Sequence, residues 1–141
     1  VNFGAVYDFM THEQPSWRKS MMMMVEAGDR NNVLVFRKDT EFVGAVQTYT
    51  PASRYRGANV VWEGRYGDRL GGFGAVLIAK SWRGKGLGAV LCHVATRHIK
   101  AAGSTGCYID WTNQSLSDRL YAKVGASVCT TFAMASKKIN R

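Results

Sequence analysis

The sequence predicts a mixed α/β domain of the α+β type, with a mostly antiparallel central sheet flanked by helices. One strand–helix–strand crossover carries a glycine-rich loop. Three observations lead there. Residues 33–37 and 42–49 are β-rich runs separated by Lys38-Asp39-Thr40-Glu41, which is hairpin spacing. Residues 71–79 form a third run, nearly all apolar from Phe73 onward, as expected of a buried strand. Residues 86–102 carry helical periodicity and precede a short apolar run, 107–111, so a helix crosses over between two strands.

In chain order, residues 15–27 read as the first helix. Pro15 suits its first position and Gly28 its stop, with Trp17, Met21, Met24 and Val25 on one face. Two of the four methionines in the run 21–24 must point away from that face, so the run reads as core packing rather than an adaptable binding surface. The hairpin follows. Segment 51–72 is a long insertion with an extended stretch at 58–63. It holds Arg54, Arg56, Arg65 and Arg69 interleaved with Tyr55, Trp62 and Tyr66. Insertions of that length often carry function, and basic–aromatic interleaving is one way to bind nucleic acid.

In the helix at 86–102, Leu87, Val90, Leu91, Val94, His98 and Ala101 or Ala102 make the expected apolar stripe. Arg97 and Lys100 complement the dipole in the last turn, and Gly103 ends it. His98 reads as a packed histidine rather than a catalytic one. After the strand at 107–111 comes a helix at 115–124, opened by Ser115-Leu116-Ser117-Asp118 in a capping-box-like pattern. Ser117, Leu120, Tyr121 and Val124 share its face, Gly125 stops it, and 127–134 read as a last strand before a basic tail.

The chain has 141 residues, 46% hydrophobic and 21% charged. That is one domain of ordinary globular composition, spanning 1–141, and not a disordered or low-complexity segment. No stretch approaches a membrane span and no signal-peptide core opens the chain. The net charge of +9 suits an anionic partner such as phosphate, nucleic acid or an acidic membrane surface, or plain solubility. The basic residues are spread along the chain, which argues against a nucleic-acid-binding module. Cys92, Cys107 and Cys129 are odd in number and widely spaced, and with His12, His93 and His98 they complete no zinc pattern. They read as reduced core thiols, which suits a reducing, cytoplasmic compartment.

The most specific feature is Arg83-Gly84-Lys85-Gly86-Leu87-Gly88, between an apolar strand and an amphipathic helix. Glycines let backbone N–H groups approach a ligand, the helix N-terminus adds unsatisfied donors, and Arg83 and Lys85 add cations. Together these make a cradle for a diphosphate. Gly84-x-Gly86-x-x-Ala89 nominally fits a dinucleotide fingerprint, with Asp110 ending the next strand. The context fails, because too little chain follows for further βα units and an antiparallel hairpin precedes. No GxxxxGK[ST] occurs, so a nucleotide-hydrolysing P-loop is excluded. A purely structural turn is the remaining alternative.

This arrangement resembles the GNAT superfamily of acyl-CoA N-acyltransferases. Arg83, Gly86 and Gly88 match that family's Arg/Gln-x-x-Gly-x-Gly/Ala loop. Gln114-x-x-Ser117-x-x-Leu120-Tyr121-x-Lys123-x-Gly125-Ala126 matches its following helix motif, with Gln114, Ser117 and Ala126 replacing the usual Asn, Ala and Phe, and Lys80 standing where Pro is common. The resemblance covers 33–134 well. It covers 1–30 poorly, where the family's first strand and helix should lie, so a truncated N-terminal unit is expected. Ile109-Asp110-Trp111-Thr112 with Leu120-Tyr121-Ala122-Lys123-Val124-Gly125 is also similar to acetyltransferase modules attached to some microbial β-hexosaminidases, which implies amino sugars as acceptors.

The resemblance implies an N-acetyltransferase that moves an acetyl group from acetyl-CoA to a small-molecule primary amine by direct attack. It places the coenzyme A pyrophosphate on the amides of Arg83, Gly84, Lys85, Gly86, Leu87 and Gly88, with Gln114 and Ser117 as further cofactor contacts. It assigns Leu77, Ile78 and Ala79 to the pantetheine arm, the N–H near Ile78 polarising the thioester carbonyl. Tyr121 matches the family's tyrosine acid. No acid stands in 71–79, so Glu63, Asp110 or a water chain must serve as base. A catalytically idle coenzyme A-binding or regulatory domain stays open as the alternative. Exposed edge strands are compatible with a homodimer.

Overall fold

In a computed structural model, residues 2–55, 67, 69–109, 112–129 and 131 are described. Among these described residues, four strands form one sheet in the order β1 (Val33–Lys38), β2 (Glu41–Tyr49), β3 (Leu70–Ile78), β4 (Gly106–Ile109). β1 and β2 make the expected hairpin, Val33 opposite Gln47 and Lys38 opposite Glu41. β2 and β3 are antiparallel. β3 and β4 are parallel from Leu70 opposite Gly106 to Phe73 opposite Ile109, joined through the helix α3 (Leu87–Ala101). The mixed sheet and its single crossover are as the sequence implies.

Two irregularities were not anticipated: the β1–β2 register shifts between Phe36 and Arg37, and the β2–β3 register shifts as well. Between Ala45 and Gln47 on β2 stands one residue, whereas between Leu77 and Gly74 on β3 stand two, so β3 bulges at Ala75 and Val76. Ala75 carries a positive φ of 47°. Bulges bend a strand and re-aim its groups. The clue was Gly71-Gly72 and Gly74 inside an otherwise apolar run.

Each face of the sheet is covered. On one, α3 buries Leu91, Cys92, Ala95 and Ile99 against Val46, Phe73 and Tyr121. The helix approaches β3 so closely that a Cβ on Gly71 would lie 2.3 Å from Ile99 Cγ2 and 2.9 Å from the Tyr49 carbonyl. The expected stripe was out of phase: Val90 and Val94 face outward, 52% and 38% exposed. The helix has two overlapping apolar rows, and the small Cys92 and Ala95 form the one that fits against the sheet.

The other face is covered by α1 (Phe3–Glu13) and α2 (Arg18–Glu26), the latter entered through a 3-10 turn at Pro15–Trp17. Val6, Met10, Met21 and Met24 pack there on Ala45 and Leu77. Met22 and Met23 are exposed, as helical spacing requires. α1 went unread, although Phe3, Val6, Tyr7 and Met10 stand at i, i+3, i+4 and i+7 behind Asn2, whose side chain caps Gly4 N.

The C-terminal helical segment runs as an α turn Gln114–Leu116, a π turn Ser117–Tyr121 and a 3-10 turn Ala122–Val124. Its N-cap is Asn113, which accepts Leu116 N–H at 2.9 Å, and not the expected Ser115 pattern. Asparagine is as strong a cap as serine and comes first in the chain. Ser127, Val128, Cys129 and Thr131 carry no strand, and the remainder of the expected strand at 127–134 lies outside the described residues, as does 58–63. Among the described residues no helix is long and apolar enough to cross a membrane.

Candidate functional site

The glycine loop leaves β3 through a 3-10 turn, Lys80–Trp82, and enters α3 at Gly86. Gly84 and Gly86 have φ of 77° and 76°, and a Cβ at either would meet nothing within 4 Å. Their constraint is therefore backbone conformation, not crowding: the turn needs two left-handed residues. Gly86 lends α3 no side-chain cap, while its carbonyl accepts Ala89 N–H at 3.1 Å. Among the described residues, the amides of Gly84, Lys85, Gly86, Leu87 and Gly88 find no acceptor. Open donors at a helix N-terminus fit an anion.

Two cations of the loop are fixed by neighbours. Lys85 Nζ lies 4.4 Å from the centroid of the Trp82 indole, and Lys38 Nζ lies 5.3 Å from the same ring. Trp82 Nε1 donates to Glu41 Oε1 at 2.8 Å, so the tip of the β1–β2 hairpin supports the loop. Arg83 turns back toward β3: its Nε donates to the Ile78 carbonyl at 2.9 Å, and its Nη2 pairs with Glu13 Oε2 at 3.4 Å. Neither Trp82's part nor the Glu13 pairing is legible in the sequence, because both join elements far apart in the chain.

Among the described residues, the end of β3 has an open edge. Pairing with β4 covers Leu70–Phe73, while β3 continues to Ile78. Ala79 N–H points to β2, bonding Val43 O at 2.9 Å. Ile78, one residue earlier, therefore directs its N–H and carbonyl to the opposite edge, the one Arg83 reaches. Leu77 is buried against α1 and α2, Ile78 packs partly buried on the α3 side, and Ala79 is buried.

Tyr121 is 7% exposed, in the cluster with Phe73 and Leu91, its ring centroid 6.4 Å from that of Phe73. Its segment leans on the loop's helix: Leu120 Cδ1 would lie 3.4 Å from a Cβ on Gly88. The π turn makes Ser117 O accept Ala122 N–H, and π turns recur at functional sites. Ser117 is partly buried and Gln114 exposed. Loop, open β3 edge and Tyr121 segment thus meet around α3's first turn. Glu63 and Asp110 lie outside the described residues. A separate shallow groove on the outer side of α2, lined by Pro15, Arg18, Lys19, Met22, Met23 and Glu26 among others, shares no residue with this constellation.

Cys92 is buried and Cys107 and Cys129 are exposed, all free thiols. Burial pushes the Cys92 thiol up to about 11, with the nearby Cys107 a secondary cause. It is thereby held neutral and unreactive.

Comparison with known proteins says to which family an open strand edge beside this glycine turn belongs. The model of the FR47-like protein family matches residues 54–133, and the chain belongs to that family, which is of GNAT type. Among solved structures, the GCN5-related glucosamine N-acetyltransferase region of a fungal multi-domain GH3 β-N-acetylglucosaminidase matches at 29% identity and a TM-score of 0.73. The match covers 84% of this chain and 14% of that one, so this chain spans a small part of that relative. An acetyltransferase of Trypanosoma brucei matches at 18% identity and TM-score 0.62, over 96% of this chain and 93% of that one. An aminoglycoside 6'-N-acetyltransferase of Acinetobacter haemolyticus matches at 15% and 0.57, over 86% and 81%. These last two are likenesses of fold. No curated protein sequence matches significantly.

Proposed function

We propose that this chain is an acetyl-CoA-dependent N-acetyltransferase whose acceptor is a small primary amine of the amino-sugar kind. The observation that carries it is the row of unpaired amides from Gly84 to Gly88 beside the open edge of β3. The glucosamine N-acetyltransferase region named in the fungal relative supports the acceptor class.

When bound, acetyl-CoA supplies the activated acetyl thioester. The amides of Gly84, Lys85, Gly86, Leu87 and Gly88 hold its diphosphate, with Lys85 adding charge. The Arg83 amide, expected to join them, instead bonds Lys80 O at 3.4 Å as it closes the 3-10 turn, so Arg83 serves through its side chain, which steadies the Ile78 carbonyl. Leu77, Ile78 and Ala79 flank the pantetheine arm, and Ile78 N–H, directed to the open edge, polarises the thioester carbonyl. Gln114 and Ser117 border the arm from the C-terminal segment. Tyr121 protonates the departing sulfur. Glu63, Asp110 or a water chain takes the amine proton.

A thermal-shift titration with acetyl-CoA, followed by turnover of glucosamine, polyamines, amino acids and peptides, tests this. Acetyl-CoA should raise the melting temperature by mass action, and glucosamine should be acetylated. Binding without turnover of any amine would favour an idle coenzyme A-binding domain, and no binding would overturn both.

A further inference from the structure

Gln47 lies near the end of β2, 1% exposed, and its Nε2 is sealed from water without a hydrogen-bond partner. The other buried polar side chains near it are satisfied. Thr48 Oγ1 donates to Asn32 O at 2.9 Å, and Ser53 Oγ takes both Thr50 N–H and Asn32 Nδ2 at 2.9 Å. A buried donor left unpaired is costly, and a methionine of similar shape would remove that cost. Among the described residues no group supplies the partner that this nitrogen asks for.

Its place says where that partner comes from. Gln47 pairs with Gly74 on β3, which brings no side chain to meet it, and the next residue is Ala75 of the bulge. By alternation it shares a face with Ala45, the face covered by α1 and α2 and opposite to Tyr121. Among the described residues, the pairing of β3 with β4 runs up to Phe73, one residue before Gly74. Gln47 thus lies one strand in from the β3 edge that is unpaired among the described residues, on the sheet face away from Tyr121. A hydroxyl group both donates and accepts, so it satisfies either end of the carboxamide.

Resting on the acetyltransferase reading, we propose that Gln47 is a specificity-determining residue: its carboxamide hydrogen-bonds a hydroxyl of the acceptor and selects hydroxylated amines over bare ones. The nitrogen is covered in this structure, so the acceptor reaches it by displacing that cover. Tyr55, bonded through its hydroxyl to Ser20 Oγ at 3.2 Å, packs on the cluster around Met21, Met24 and Ala45. A site that must fill a buried polar group rejects ligands lacking the matching one.

Gln47→Met is compared with wild type on glucosamine and on cyclohexylamine, a ring amine without hydroxyls. The variant should melt at the same temperature or higher and bind acetyl-CoA within about twofold. Its kcat/KM for glucosamine should fall about tenfold or more while that for cyclohexylamine holds. An unchanged glucosamine value, or a parallel fall on both amines with a lower melting temperature, overturns the proposal. A binding readout separates it from the broader reading: glucosamine should raise the melting temperature of wild type and not of Gln47→Met. If acetyl-CoA fails to bind wild type, the acetyltransferase reading falls; if glucosamine shifts both proteins equally or neither, the role of Gln47 falls.

Discussion

Tyr121 is a core side chain and a proposed proton donor at once. Its ring packs near Phe73, so Tyr121→Phe removes only the hydroxyl and keeps the packing. Turnover should fall about 100-fold or more, the usual weight of a general acid, while acetyl-CoA affinity stays within about twofold. Steady-state kinetics beside calorimetry read the two effects apart; unchanged turnover removes Tyr121 from the chemistry. Gly86 is a different kind of residue, fixed by conformation in open space. Gly86→Ala should destabilise by roughly 1–2 kcal/mol through its left-handed φ, whereas Gly88→Ala, which meets Leu120 at ordinary contact distance, should be close to neutral in urea unfolding. Cys92 sets a pH window. Its thiol is raised in the fold, so the neutral form is favoured and its contribution is complete below the ordinary value of 9.0. That contribution drains as pH climbs to about 11. Stability of wild type relative to Cys92→Ala should therefore fall across that interval, by at most about 1.4 kcal/mol per pH unit, in denaturant titrations.

Among the elements, the loop's rigidity depends on the hairpin beneath it. Trp82 holds Lys38 and Lys85 on its ring and is itself tied to Glu41. Such contacts at an exposed site are worth about 0.5–1 kcal/mol each. Trp82→Ala should thus weaken acetyl-CoA binding about three- to tenfold in calorimetry, with little change in kcat once the site is saturated; an unaltered affinity would show that Lys85 needs no such support. The loop was legible because its logic is local: a strand, a run of glycines and a helix start are adjacent in sequence. The hairpin and crossover were legible for the same reason. The phase of α3 was not, since two apolar rows satisfy the period and only the sheet chooses between them. The bulge at Ala75 and the Arg83–Glu13 pair were likewise hidden, being products of strands and helices meeting across the chain. Asn113 and α1 do have local signals, the cap residue standing beside a competing serine pattern and α1 carrying its apolar spacing behind Asn2.

For the molecule as a whole, the question is whether the charge of +9 or the loop geometry holds the anionic cofactor. Part of that charge is already engaged: Arg83 faces Glu13, and Lys38 and Lys85 sit on Trp82. The rest is spread over the chain and acts as a diffuse field, which salt screens beyond about 8 Å at physiological strength. Binding by such a field falls steeply with salt, as it does for nucleic acid, by several decades over a modest salt range. Hydrogen bonds from fixed amides to a diphosphate act at contact and are screened much less. The two regimes therefore predict different slopes. Raising salt from about 50 to 500 mM should weaken acetyl-CoA only about three- to tenfold and slow its association more than it speeds its release. Calorimetry and stopped-flow across a salt series measure both. A loss of a thousandfold or more would assign the affinity to diffuse charge and take the glycine turn out of its central place.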